Sequence, residues 1–125
     1  MPLDSHMSQR ATILVVDDDV DAADTMREIL EAEGHRVLVA HNGREALAVV
    51  RREQPHLVLL DLEMPEMDGR AFLSEVRAEP ELSHLGVVMV SGSDEAKTLG
   101  VEAVEKPLRL DTLLGLIERA AHAAE

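Results

Sequence analysis

The chain has 125 residues, enough for one domain with a core of several strands and helices but too few for two. Its 12 basic and 25 acidic residues leave a formal net charge of −13, which argues against nucleic acid or an anionic membrane as a direct partner and favours a cation or a basic surface. Without cysteine there is neither a disulfide framework nor thiolate chemistry, and no apolar stretch approaches the roughly 20 residues of a membrane span, so we expect a cytoplasmic protein.

The first residues differ in character from the rest of the chain. Ser5-His6-Met7 resembles a cloning scar, so we interpret residues 1–6 as an expression-tag remnant and Met7 as the native start. We expect the folded domain to occupy residues 10–122, either as a protein of its own or as a domain cut from a longer one.

The domain opens with a predicted strand and helix. Residues 12–16 are a short apolar run rich in β-branched side chains, and the acid pair Asp17 and Asp18 follows it directly. From Asp21 the apolar residues recur at helical spacing, and Gly34 is a typical helix stop. Two acidic side chains therefore lie at the carboxyl end of the first predicted strand.

A second strand and helix follow with their own turn signals. Residues 36–40 form the predicted strand, and the Asn42-Gly43 turn leads into a helical pattern that ends before Pro55.

The third predicted strand is the continuous aliphatic run 57–60, which stops at Asp61. Such a run suits a strand that is buried on both faces of a parallel sheet. Ligands bind at the carboxyl edge of open α/β sheets, so we interpret Asp61 as functional. Asp61 could instead cap the next helix, although Asp68, directly before Gly69, is better placed for that role.

The rest of the sequence predicts a helix over 69–78 and a strand over 86–90, which Ser91 directly follows. A fifth strand over 101–105 ends at Lys106, and a final helix completes the chain. Strands that alternate with helices imply right-handed βαβ units. We therefore predict an α/β fold: a doubly wound, five-stranded parallel sheet in the order 2-1-3-4-5, with helices on both faces.

In that fold Asp17, Asp18 and Asp61 line a crevice between the first and third strands. Three carboxylates at one edge repel one another, and Mg²⁺ is a hard cation that relieves this repulsion. Asp18 and Asp61 suit direct ligation, and Asp17 could act through water. A carboxylate is also a nucleophile toward phosphorus, so Asp61 is the predicted nucleophile, with Lys106 and Ser91 as contacts for phosphoryl oxygens. Taken singly, Lys106 could be a solvated lysine and Ser91 a loop serine.

These motifs resemble the receiver domain of two-component response regulators over nearly all of residues 12–121. The resemblance rests on the 13–18 strand with its acid pair, the Leu60-to-Pro65 strand end, Asp68-Gly69, Ser91, and Lys106-Pro107. It implies a flavodoxin-like, CheY-like fold that accepts a phosphoryl group from a histidine kinase or its phosphotransfer domain and acts as a signalling domain, not as an enzyme beyond its own phosphorylation and dephosphorylation.

The resemblance also implies a role for each site residue. Asp61 would be the phosphoacceptor, and Asp18, Asp61 and the backbone carbonyl of Glu63 would hold Mg²⁺ with Asp17 nearby. Ser91 would be the switch residue and Lys106 the phosphate-binding lysine. A kinase or output domain could be linked in cis, and we expect a monomer or a weak dimer.

The chain departs from the family between the fourth and fifth strands. Only nine residues, 92–100, connect these two strands, whereas the connection between parallel strands normally needs about 10 to 12 residues including its helix. We therefore expect the fourth helix to be truncated or absent. Ala103 stands where the family has its switch aromatic, so the output should differ, leaving either through the 92–100 segment or through another surface such as the first helix.

Two alternatives stay open at this point. The chain could be a pseudo-receiver, a docking module that is never phosphorylated. Less favoured is a small phosphatase, because Asp61-Leu62-Glu63 only loosely resembles the Asp-x-Asp loop of haloacid-dehalogenase-like enzymes and the length leaves no room for a cap domain.

Overall fold

A computed structural model of the protein describes residues 11–61, 69–82, 85–91, 102–105 and 110–123. Strands and helices alternate from residue 12 to residue 78, and a 3-10 helix at Pro80–Leu82 precedes the fourth strand. The elements are β1 (Thr12–Val16), α1 (Val20–Ala32), β2 (Arg36–Ala40), α2 (Gly43–Glu53), β3 (Leu57–Asp61), α3 (Gly69–Ala78), β4 (Gly86–Ser91), β5 (Glu102–Glu105) and α4 (Leu110–Ala123).

The five strands form one parallel sheet in the order β2-β1-β3-β4-β5. Because β1 lies between β2 and β3, Leu14 stands opposite Leu38 on one side and Val58 on the other. The predicted strand order and the switch point between the first and third strands are confirmed.

The two faces of the sheet carry separate apolar clusters. Ile13 and Val15 of β1 pack with side chains of α1 and α4, whereas Leu14 and Val16 pack with side chains of α2 and α3. Alternate residues of a strand point to opposite faces, so one strand serves both clusters. Every residue of β3 is buried, which is the reason that its sequence shows no polar alternation.

Asp19 sets the beginning of α1. Its carboxylate accepts the backbone N–H groups of Asp21 and Ala22 at 3.0 and 3.2 Å. The helix therefore begins at Val20, one residue earlier than the apolar pattern indicates. The predicted stop, Gly34, has a φ of +95°, a left-handed conformation that glycine adopts without a steric penalty.

Several predictions concern residues outside the described ranges. β5 begins at Glu102, and Val101, its predicted first residue, lies outside them. The same holds for the shortened fourth helix over 92–100, for Asp68 as a helix cap, for Glu63 and Lys106, and for residues 1–6. Within the described part of the chain, none of the helices combines the length and apolarity that a membrane crossing requires.

Candidate functional site

The parallel pairing of β1 and β3 brings two acidic chain segments to one edge of the sheet. Val16 stands opposite Leu60, so Asp17, which directly follows β1, and Asp61, the last residue of β3, are the next residues along the two chain segments. The backbone N–H of Asp17 donates to the carbonyl of Ala40 on β2 at 3.0 Å, which continues the ladder beyond the end of β1. The backbone that carries the acid pair is thus held from the side of β2 as well.

The side chains of Asp17, Asp18 and Asp61 converge. Each offers a carboxylate oxygen, and these three oxygens all lie within 4.8 Å of one another. Asp61 is buried, with 8% of its surface exposed, whereas Asp17 is half-buried and Asp18 is exposed. The cluster therefore runs from the sheet core to solvent, with Asp61 at its inner end.

Neighbouring acids in the run 17–19 have different local roles. The Oδ1 atom of Asp17 accepts the backbone N–H of Asp19 at 2.9 Å and so closes a tight turn after β1. Asp19 in turn caps α1. The sequence predictions do not include this capping role, although an aspartate just before an amphipathic helix is the usual signal for it.

The donor set of this cluster fits a hard divalent cation. Carboxylate oxygens are the ligands that Mg²⁺ prefers, and it commonly uses one or two of them and keeps several waters. Like charges this close destabilise one another, and a bound cation would relieve that repulsion. The predicted convergence of Asp17, Asp18 and Asp61 is therefore observed, in an arrangement suited to a metal ion.

The other predicted site residues are placed only in part. Ser91 is the last residue of β4, one position beyond Val90, which pairs with Asp61, so its backbone lies at the same edge of the sheet. Lys106 directly follows Glu105, the last residue of β5, but lies outside the described ranges, as does Glu63. Ala103 lies within β5 and pairs with Met89 of β4.

Known proteins resemble the chain over most of its length. The transcriptional regulatory protein ZraR of Escherichia coli K12 is 38% identical over 113 residues, which cover 86% of this chain and 26% of that protein. Protein PilH of Pseudomonas aeruginosa is 33% identical over 114 residues, 86% of this chain and 94% of PilH. The chain thus spans about a quarter of the ZraR relatives and nearly all of PilH.

Solved structures share the fold. The signal receiver domain of a signal transduction histidine kinase from Syntrophus aciditrophicus superposes with a TM-score of 0.84 at 27% identity, and 92% of each chain is covered. The chemotaxis protein CheY4 of Vibrio cholerae gives a TM-score of 0.79 at 28% identity over 89% of this chain and 98% of that one.

The family model described as the response regulator receiver domain matches residues 13–118. Apart from Thr12 at the start of β1, this range contains the β2-β1-β3-β4-β5 sheet, and it contains the acidic cluster at the carboxyl edge of the sheet. The chain belongs to the response regulator receiver domain family.

Proposed function

We propose that Asp61 accepts a phosphoryl group from a histidine kinase or its phosphotransfer domain, in a reaction that requires Mg²⁺ held by Asp17, Asp18 and Asp61. The observation that carries the proposal is a buried aspartate at the carboxyl end of β3 whose carboxylate lies within 4.8 Å of two further carboxylates. A receiver domain is a signalling domain rather than a conventional enzyme, so the chemistry serves to switch interactions with partners.

The position of Asp61 suits a nucleophile. A carboxylate oxygen forms a bond to phosphorus while the bond from phosphorus to the donor atom breaks, and the donor leaves with the electron pair. For a phosphohistidine the leaving atom is an imidazole nitrogen, and for acetyl phosphate it is an acetate oxygen. Central strands hold Asp61 in place, and its low exposure limits competing water.

Asp17 and Asp18 supply the remaining acidic oxygens of the proposed metal site. Mg²⁺ bound there would neutralise charge on the transferring group. Three anionic side chains would otherwise repel an incoming phosphoryl group. Mg²⁺ dependence is therefore expected to be strong, and it is a property of the acidic cluster as a whole.

The roles of the remaining residues in the proposal follow from the family resemblance. Glu63 would offer its backbone carbonyl to the metal. The Ser91 hydroxyl would donate to one phosphoryl oxygen, and the Lys106 ammonium would place a point charge against another. The carboxyl-edge position of Ser91 supports its role.

The proposal is tested by incubating the protein with acetyl phosphate, with and without Mg²⁺, and measuring the intact mass. We expect one phosphoryl adduct that requires Mg²⁺ and is lost in Asp61→Asn. Asp21→Asn is the matched control, because it removes an exposed carboxylate in the first turn of α1 and leaves the cluster intact. No adduct on the unaltered protein, or an adduct that persists in Asp61→Asn, would contradict the proposal.

A docking module without phosphorylation is the second candidate. The observation that favours it is Ala103 in β5, where the family carries the aromatic residue of its switch. Absence of the adduct under the conditions above would favour this candidate.

A further inference from the structure

Asp18 reaches the acidic cluster from an exposed position. The other two members are held more firmly, since Asp61 is the last residue of a buried strand and the backbone N–H of Asp17 is bonded to the carbonyl of Ala40. Within the described ranges, no side chain or backbone group forms a hydrogen bond or an ion pair with the carboxylate of Asp18. The backbone on either side of Asp18 therefore sets where its carboxylate lies.

Asp19 joins the acidic cluster to the start of α1. Its backbone N–H donates to Oδ1 of Asp17 at 2.9 Å, which orients that carboxylate. Its own carboxylate accepts the N–H groups of Asp21 and Ala22, and its backbone carbonyl accepts the N–H of Ala23 at 3.0 Å. One residue thus bonds to a member of the cluster on one side and to the first turn of the helix on the other.

The start of α1 is itself fixed to the core. Ala23, in the first turn of the helix, is fully buried and belongs to the same apolar cluster as Val15 of β1. The acid run is therefore anchored at both ends, at Asp17 to β2 and at Asp19 to α1. Asp18, between them, has a constrained backbone although its side chain is exposed.

We propose that Asp19 is a positioning residue for the Mg²⁺ site, which it does not join itself: its cap on α1 and its N–H to Asp17 fix the two acidic side chains that precede it. This inference rests on the proposed function, because the metal belongs to that proposal. Mg²⁺ demands nearly ideal octahedral geometry, and groups that orient metal ligands commonly govern the affinity for the metal. Loss of the cap should therefore weaken Mg²⁺ binding although every carboxylate of the cluster is retained.

The side chain of Asp19 carries both a cap and a negative charge, and two substitutions separate them. Asp19→Asn removes the charge but keeps a carbonyl oxygen that can accept the same helix N–H groups, since asparagine is as good an N-cap as aspartate. Asp19→Ala removes the charge and the cap together. The two variants have the same net charge, so a difference between them reports the cap alone.

The test measures the Kd for Mg²⁺ by NMR, from the backbone amide shifts during a titration with magnesium chloride at constant ionic strength. We expect Asp19→Ala to bind Mg²⁺ at least about fivefold more weakly than Asp19→Asn. Equal affinity of the two variants would overturn the positioning role.

The matched control is the N-cap of the neighbouring helix. The side chain of Asn42 accepts the N–H of Glu45 at 2.8 Å and so caps α2, but it is not part of the acidic cluster. Asn42→Ala should lose stability as Asp19→Ala does, and yet bind Mg²⁺ like the unaltered protein. If Asn42→Ala weakens Mg²⁺ binding as much as Asp19→Ala, the effect is a general loss of stability and the proposal is wrong.

Asp19→Gly replaces Asp19→Ala if the alanine variant does not fold. Glycine has no side-chain acceptor, but it leaves the helix N–H groups open to water and costs the helix little. Asp19→Gly should also bind Mg²⁺ more weakly than Asp19→Asn, and equal affinity would again overturn the positioning role. A failure of the unaltered protein to bind Mg²⁺ would instead overturn the proposed function, and this inference with it.

Discussion

At the scale of single residues, the acid run after β1 shows how neighbouring side chains of the same type take different roles. Asp17 accepts the N–H of Asp19 and closes the turn, and Asp19 accepts the first N–H groups of α1. Asp18 lies between them and is exposed, and its carboxylate reaches the cluster around Asp61. Asp18 is therefore the member of the run whose charge can be altered with least effect on the local backbone.

This division predicts opposite effects of Asp18→Asn in the absence and presence of Mg²⁺. Without the metal the variant should be slightly more stable than the unaltered protein, by roughly 0.5 kcal/mol, because one like charge is removed from the cluster. With Mg²⁺ the order should reverse, because the variant should bind the metal more weakly, and a ligand that binds only the folded state stabilises it by an amount that rises with the logarithm of its affinity. Thermal unfolding over a Mg²⁺ titration measures both effects.

Asp21→Asn serves again as the control for Asp18→Asn. It removes the same charge from an exposed position in the first turn of α1, where the carboxylate is not part of the cluster. Its response to Mg²⁺ should match that of the unaltered protein. An Asp18→Asn variant that Mg²⁺ stabilises as much as the unaltered protein would show that Asp18 is not a ligand.

At the scale of elements, α1 and α2 are each followed by a residue in the left-handed conformation, but the two residues are of different types. The chain turns out of α1 through Gly34, at a φ of +95°, and out of α2 through Gln54, at a φ of 49° and ψ of 62°. The left-handed region costs a residue with a side chain about 1 kcal/mol or more, whereas glycine adopts it freely. Gln54 is thus the less favourable of the two helix ends.

We expect Gln54→Gly to stabilise the protein by about 0.5 kcal/mol, because the gain in backbone geometry exceeds the entropy that glycine adds to the unfolded chain. Gly34→Ala should destabilise it by about 1 kcal/mol. A Cβ at Gly34 meets no atom within 4 Å, so the cost would come from the backbone and not from a clash. Denaturant titration of both variants checks the pair, and the idea fails if both changes have the same sign.

At the scale of the whole molecule, surface ion pairs connect elements that are distant in sequence. Arg51 of α2 donates to Glu79, which follows α3, through its Nε at 3.1 Å, and Arg36 of β2 donates to Glu53 of α2 at 2.9 Å. The hydrogen bond from Arg51 lowers the pKa of Glu79, and hydrogen bonds from Arg36 and Arg52 lower the pKa of Glu53. One pair therefore joins α2 to the end of α3, and the other joins α2 to β2.

The lowered pKa values predict the sign of an acid effect. A carboxyl group whose pKa is lower in the folded state stabilises the fold above its ordinary pKa, and this contribution is lost as the pH falls through the folded value. The stability of Glu79→Gln should therefore fall less than that of the unaltered protein on acidification below about pH 4.5. The difference should be small, because solvent screens exposed pairs.

Glu81→Gln provides a comparison for Glu79→Gln, since it removes an exposed carboxylate two residues away in the 3-10 helix. Acid unfolding followed by circular dichroism measures the two variants beside the unaltered protein. If the two profiles coincide, the pair of Arg51 and Glu79 contributes nothing specific to acid stability.

The sequence was sufficient for the fold and for the convergence of the acid cluster because both depend on local patterns. Each strand is a contiguous apolar run, and Asp17, Asp18 and Asp61 come directly after two of these runs. Parallel strands in this connectivity place all their carboxyl ends at one edge, so the meeting of these residues follows from topology without knowledge of a single side-chain contact.

Only the tertiary structure decided which distant groups are partners. The backbone N–H of Ala11 donates to the ring of His35, 24 positions away, and that of Thr12 donates to the ring of His56, 44 positions away. Arg51 and Glu79 are 28 positions apart. Nothing in the local sequence of His35 or His56 indicates that its ring accepts an N–H of β1. A hydrogen bond forms only when the distance between donor and acceptor is correct to within tenths of an ångström, and strand register and packing set that distance. The periodicity of apolar residues determines only which elements form and which faces they bury.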